Sequence, residues 1–209
     1  MRKWLLVTVI LSCAGEAGAS ILTFTDRTAF LSALNGTTYE NDFQGISTNA
    51  FGSPQAFSGN GFGYNVSAIN GLIGIDIGGD ISIAAVSGNM ALTFSNFSGG
   101  VNALGGYFFF DANTQVSATG AGTLTANNGV DPAAVLQVTA PSSLTGFFGF
   151  ISTSGSLTSV SLLRTSASGF PDADDVIVGT ASSVPEPGTM VLFGAGLGLV
   201  VLRRARLRR

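Results

Sequence analysis

The chain has no histidine, one cysteine at position 13, and no lysine after Lys3. Without histidine a Ser-His-Asp triad cannot be built, and a thiol nucleophile or thiolate-zinc site would have to rest on Cys13 alone. Charge is scarce at 10% of residues. Between residues 20 and 187 only Arg27 and Arg164 stand against eleven acids, a net of −9. Such a surface repels phosphate backbones, which argues against binding DNA or RNA. Gly61-x-Gly63 and Gly120-x-Gly122 do not continue into a phosphate loop between strand and helix, so nucleotide binding has no support. Crossover helices are missing from the pattern, which disfavours a parallel α/β fold.

What remains is 45% hydrophobic residues, 29 glycines and 16 phenylalanines in 209 residues, enough for one domain with short appendages. Ile21–Phe24 has the composition of a strand. Asp26 to Leu34 predicts a short helix capped by Thr25 or Asp26 and stopped at Asn35-Gly36. The period then becomes two. Ile73, Ile75 and Ile77 alternate with Gly74, Asp76 and Gly78, and Met90, Leu92 and Phe94 with Ala91, Thr93 and Ser95. Further strands are expected in residues 106–110, 135–139, 146–151, 157–163 and 175–179, between turns rich in Gly, Asn and Ser. About ten short strands predict an all-β chain, an antiparallel β-sandwich of jelly-roll or lectin-like kind, over residues 20–182. Phenylalanine at alternate positions fills such a core, leaving Tyr39, Tyr64 and Tyr107 with the character of exposed stacking platforms.

The two ends differ from this middle. Arg2 and Lys3 followed by apolar Trp4 to Leu11 and by Ala17-Gly18-Ala19 predict a secretory signal over residues 1–19, cleaved between Ala19 and Ser20. The rival, a lipoprotein signal at Cys13, fits poorly because Ile10-Leu11-Ser12 suits a lipobox badly. Cleavage at Ala19 removes the only cysteine, so the exported domain would hold itself together without disulfides.

Residues 183–209 fall into three zones: Val184-Pro185-Glu186-Pro187, an uncharged apolar run over 188–202, and a basic end, residues 203–209, holding Arg203, Arg204 and Arg206. The prolines keep an extended, accessible segment before the membrane. Fifteen residues span roughly 22 Å as a helix against a hydrocarbon core of roughly 30 Å, which is marginal for a lasting single anchor. The arginines orient that run with the domain outside. In this order the three zones resemble the PEP-CTERM sorting signal. The resemblance implies recognition by an exosortase-type membrane enzyme and cutting near Pro185, Glu186 and Pro187. It also implies brief residence in the inner membrane, then the cell surface or extracellular matrix, in a bacterium that makes exopolysaccharide or other matrix glycans.

Ectodomains preceding such tails are resembled at Phe24-Thr25-Asp26-Arg27-Thr28-Ala29-Phe30, Asn89 to Phe94, Phe147 to Ile151 and Asp174 to Gly179. This resemblance implies a lectin-type jelly roll. For sites, Asp172, Asp174 and Asp175 form the main acidic cluster, and Asp76 and Asp80 flank Gly78-Gly79. Their oxygens suit calcium, although no EF-hand spacing is present and turn chemistry is the stronger reading of both groups. Two carboxylates could also hydrolyse a glycosidic bond, a weaker reading for acids in a Pro-containing loop. The expected role is non-enzymatic, structural or adhesive, and needs no cofactor. A carbohydrate-binding module, calcium-dependent or not, is the alternative, ahead of a secreted hydrolase.

Overall fold

The computed structural model describes residues 21–87, 90–112, 116–117, 120–139, 146–165 and 169–181. Four features expected from sequence lie outside them: the signal segment with Ala17, Ala19 and Ser20, the Pro185-Glu186-Pro187 motif, the apolar run, and the arginine cluster. Among the described residues no helix is long and apolar enough to cross a membrane.

The described chain is all-β apart from one seven-residue helix. Its order is β1 (Ile21–Phe24), α1 (Arg27–Ala33), β2 (Leu34–Asn41), β3 (Gln55–Gly59), β4 (Phe62–Ser67), β5 (Leu72–Ile77), β6 (Asp80–Ala85) and β7 (Leu92–Ser98). There follow β8 (Ala103–Ala112), β9 (Val116–Ser117), β10 (Ala121–Asn127), β11 (Ala134–Thr139), β12 (Phe147–Ser152), β13 (Ser159–Arg164) and β14 (Phe170–Ala181). All pairings are antiparallel. A larger sheet runs β1-β12-β8-β14-β6-β5, with β2 also on β14 and β9 on β8; a smaller one runs β11-β10-β13-β7-β4-β3. The chain passes repeatedly from one sheet to the other between β2 and β14.

Period two decides what lies between the sheets. Leu92 and Phe94 of β7, Phe108 and Phe110 of β8, and Leu124, Val160 and Leu162 are fully buried in the main core, where Phe94 meets Phe108 edge-on at 5.8 Å. A second cluster lies on the other face of the larger sheet. There α1, whose N-cap Asp26 accepts a hydrogen bond from the Ala29 amide at 2.7 Å, lays Phe30 over Ala103, Phe147, Ile151 and Ile177. Gly105 and Gly149 make room for the ring: a Cβ would stand 2.9 Å and 2.7 Å from Phe30 carbons at the two positions.

Three expectations change. The helix ends at Ala33, and Leu34 starts a strand, so Asn35 and Gly36 lie inside β2 and are not a stop. In β5 the inward positions are Leu72 and Gly74; Ile73, Ile75 and Ile77 are half-buried on the outer face. The reason lies beside the strand, where a Cβ at Gly74 would meet the Ser47 carbonyl and Ile46, so the loop before β3 occupies the space of an inward side chain. The tyrosines are not exposed platforms. Tyr64 is buried in the core, Tyr39 packs on it at 6.1 Å, and half-buried Tyr107 meets Phe147 edge-on at 5.9 Å.

Candidate functional site

Asp172 and Asp174, expected in a loop, and Asp175, expected to open a strand, all lie within the central strand of the larger sheet. The N-terminal half of β14 pairs with β6 (Asp172↔Ala84) and the C-terminal half with β2 (Val176↔Asn41), while β8 lines its other side. Between Asp174 and Ile177 the register against β8 slips, and Asp175 adopts φ 46°. That conformation is tolerated by Asp far better than by β-branched residues. The bulge falls where the end of β2 and the start of β6 approach one another along β14.

Asp172 and Asp174, two residues apart, share the outer face of the sheet with Asp111 and Ser82. Asp172 is fully buried, and neither of its carboxyl oxygens has a hydrogen-bond partner among the described residues. The neighbouring Ser82 hydroxyl instead bonds the Ile75 carbonyl, at 3.4 Å. Burial therefore pushes Asp172 well above the usual carboxylate range, the charges of Asp111 and Asp174 push the same way, and the adjacent Ser82 hydroxyl and Ala173 amide oppose it only in part. Asp174 is pushed up to about 7, first by burial and then by Asp80, Asp175 and Asp42, against the hydrogen bond it accepts from the Asp175 amide. Asp175 is raised by burial and by Glu40, with Arg27 opposing. Arg27 is itself held by Glu40 at 2.6 Å.

Carboxylates thus converge on the bulge from three elements: Glu40 and Asp42 from the end of β2, Asp80 from β6, and Asp174 and Asp175 from β14. Gln44 ties two of them together, its side-chain amide donating to Asp80 Oδ1 at 2.6 Å and its backbone amide to Asp42 Oδ1 at 3.2 Å. Glu40 and Asp42 had no signal in the sequence, because nothing local links them to residues some 130 positions later. Among the described residues no three His, Cys, Asp or Glu side chains gather closely enough to hold a metal ion. Asp76 does what a turn acid does, accepting the Gly79 amide at 2.7 Å beneath Gly78 and Gly79, both at positive φ.

The outer face of the smaller sheet is of a different kind. One row across five strands reads Val135, Thr125, Ser161, Thr93, Ser67, and the next Asn127, Ser159, Ser95, Asn65, Ala56. No Asp, Glu, Lys or Arg occupies an outward position of these six strands. Two shallow concavities flank Asn65 and Ser67, one of about 390 Å³ bordered by Ser53, Ile69 and Thr93, the other of about 280 Å³ bordered by Ser58, Asn96 and Ser98.

Comparison with known proteins locates a family feature at one end of the chain. Residues 183–209 match the model described as the PEP-CTERM protein-sorting motif. No curated protein matches. Among solved structures the chain is similar to CsCBM6-3 from Clostridium stercorarium in complex with cellobiose, at 13% identity and a TM-score of 0.33, covering 66% of this chain and 99% of that one. The sorting motif indicates an exported protein sorted to the cell surface, and implies processing by an exosortase.

Proposed function

We propose that this chain is a non-enzymatic surface or matrix protein. It is exported by a signal cleaved between Ala19 and Ser20, anchored briefly in the inner membrane by residues 188–202, and released to the surface by cutting near Pro185, Glu186 and Pro187. The domain before the tail, a jelly roll in this reading, then serves a structural or adhesive role among matrix glycans. The observation that carries the proposal is the sorting motif over residues 183–209, with its extended, apolar and basic zones in the order a membrane-embedded processing enzyme requires. Intact-mass spectrometry of protein from the native host's membrane and medium tests it. A product that has lost both residues 1–19 and the apolar tail is expected; a mature form still ending at Arg209 would refute the sorting half.

Calcium-dependent carbohydrate binding is the second reading, suggested by the charges of Asp80 and Asp42, which oppose ionisation of Asp174 and Asp175 after burial does. A hard cation takes several carboxylate oxygens, and these acids would have to draw closer together to hold one. Glycan binding that survives chelation would eliminate this reading.

A further inference from the structure

We propose that the outer face of the smaller sheet is a docking surface for a neutral polysaccharide chain; this rests on the adhesive reading above and names its surface and ligand class. The acids are partitioned between the sheets. Glu40, Asp76, Asp80, Asp111, Asp172, Asp174 and Asp175 all stand on strands of the larger one, whereas the outward positions of the smaller are free of charge. An anionic ligand would meet repulsion from the domain and no counter-charge on this face, and a cationic one would be drawn to the acidic bulge instead. A neutral polyol can be held without charge, through hydroxyl and amide hydrogen bonds of the kind this face presents.

The face also offers what a sugar needs. Ser and Thr hydroxyls both donate and accept, and Asn amides do the same through two atoms. Some of that capacity is spent internally: Thr93 Oγ1 and Ser161 Oγ are 3.0 Å apart, and Asn127 donates to Ser159 Oγ at 3.3 Å. The side chains of Thr123, Thr125, Ser95 and Asn65 make no hydrogen bond among the described residues. Strand spacing sets these groups about 5 Å apart across the sheet and about 7 Å along each strand, a grid on the scale of sugar rings. Short side chains hold that grid with little entropy to lose. Val135 and Leu163, 51% and 44% exposed beside Thr125 and Thr123, supply apolar surface for the C–H face of a pyranose.

The test is affinity electrophoresis of the protein from its native host in gels containing hydroxyethylcellulose, galactomannan or lichenan, with polygalacturonate as the anionic probe. Retardation by at least one neutral polymer and not by polygalacturonate is expected. It should weaken about tenfold or more in Thr125→Arg and Ser95→Arg, which place charge at the centre of the face. Val130→Arg, in the turn after β10, should leave it unchanged, with thermal melting verifying that every variant folds. Absence of retardation by all three neutral polymers, or equal retardation of the face variants, overturns the proposal. So does sedimentation of the native protein as a dimer that those variants split, which would give the face to a second copy. Retention of the processed protein on host cells is measured in parallel. Retention without retardation removes this face and leaves the surface role; retardation without retention removes the surface role and leaves the face.

Discussion

At the scale of single residues, the larger sheet holds carboxyls where the fold favours their protonated form. Asp174 carries a folded pKa of about 7 against an ordinary 3.8, mainly through burial, and Asp172 is raised in the same direction. The folded protein therefore binds protons that the unfolded chain has released between roughly pH 4 and pH 7. Its stability is greatest below that window, falls as pH rises through about 7, and levels off above. With a chelator present and salt held constant, the melting temperature should be higher at pH 5 than at pH 8. Asp174→Asn should flatten the profile and raise its alkaline end. A melting temperature that climbs with pH would show that burial and the charges of Asp80, Asp175 and Asp42 do not oppose ionisation of Asp174. Phe30 is the apolar counterpart, seated where Gly105 and Gly149 leave no side chain. Phe30→Ala should cost about 3–5 kcal/mol in urea unfolding, and Gly149→Val about 1–3 kcal/mol through overpacking. Near-neutral values would mean that α1 is not docked on the sheet.

Among the elements, those with strong alternation or a clear cap were legible, and those shaped by distant partners were not. The α1 cap was readable because a side-chain oxygen three residues before an amide is a local device; Asp26→Ala should cost about 1 kcal/mol, less if the tertiary seat of Phe30 dominates. Strand β7 was readable because Leu92 and Phe94 alternate with Thr93 and Ser95, and β8 and β12 because residues 107–110 and 147–151 are short, aromatic-rich apolar runs of strand length. Strand β2 has the sequence LNGTTYEN with no apolar period, and it is a strand because the C-terminal half of β14 pairs with it. The first half of β14, FPDADD, reads as a turn by propensity, yet it is held between β8 and β6, a case of tertiary context overriding local preference. The β5 isoleucines show the converse. Their alternation is real, but which face is inward was set by the loop packed on Gly74, invisible to period alone. The same limit applies to the acidic bulge. Asp174 and Asp175 stood out as neighbours in sequence, whereas Glu40, Asp42 and Asp80 join them only through the topology of the sheet.

For the whole molecule, the decisive division is between a domain whose strands close a core and a tail that matches the PEP-CTERM protein-sorting motif. The compact unit spans Ala19–Ser182, ending one residue before the matched motif begins at residue 183. Strand β14 ends at Ala181, so a cut near Pro185-Glu186-Pro187 would remove no residue of the described sandwich. Processing and folding should therefore be separable. Replacing Pro185, Glu186 and Pro187 together by alanine should stop maturation in the native host, leaving a membrane-bound form that still ends at Arg209, while the domain keeps its melting temperature. Expression in a host without the sorting enzyme should leave the same uncut tail on the unaltered chain. If the alanine variant is cut and released as usual, recognition does not use these three residues. If it is uncut but also unfolded, the tail contributes to the domain's stability and the two units are not independent. A folded, uncut, membrane-held product is the one result that assigns the three residues to sorting alone.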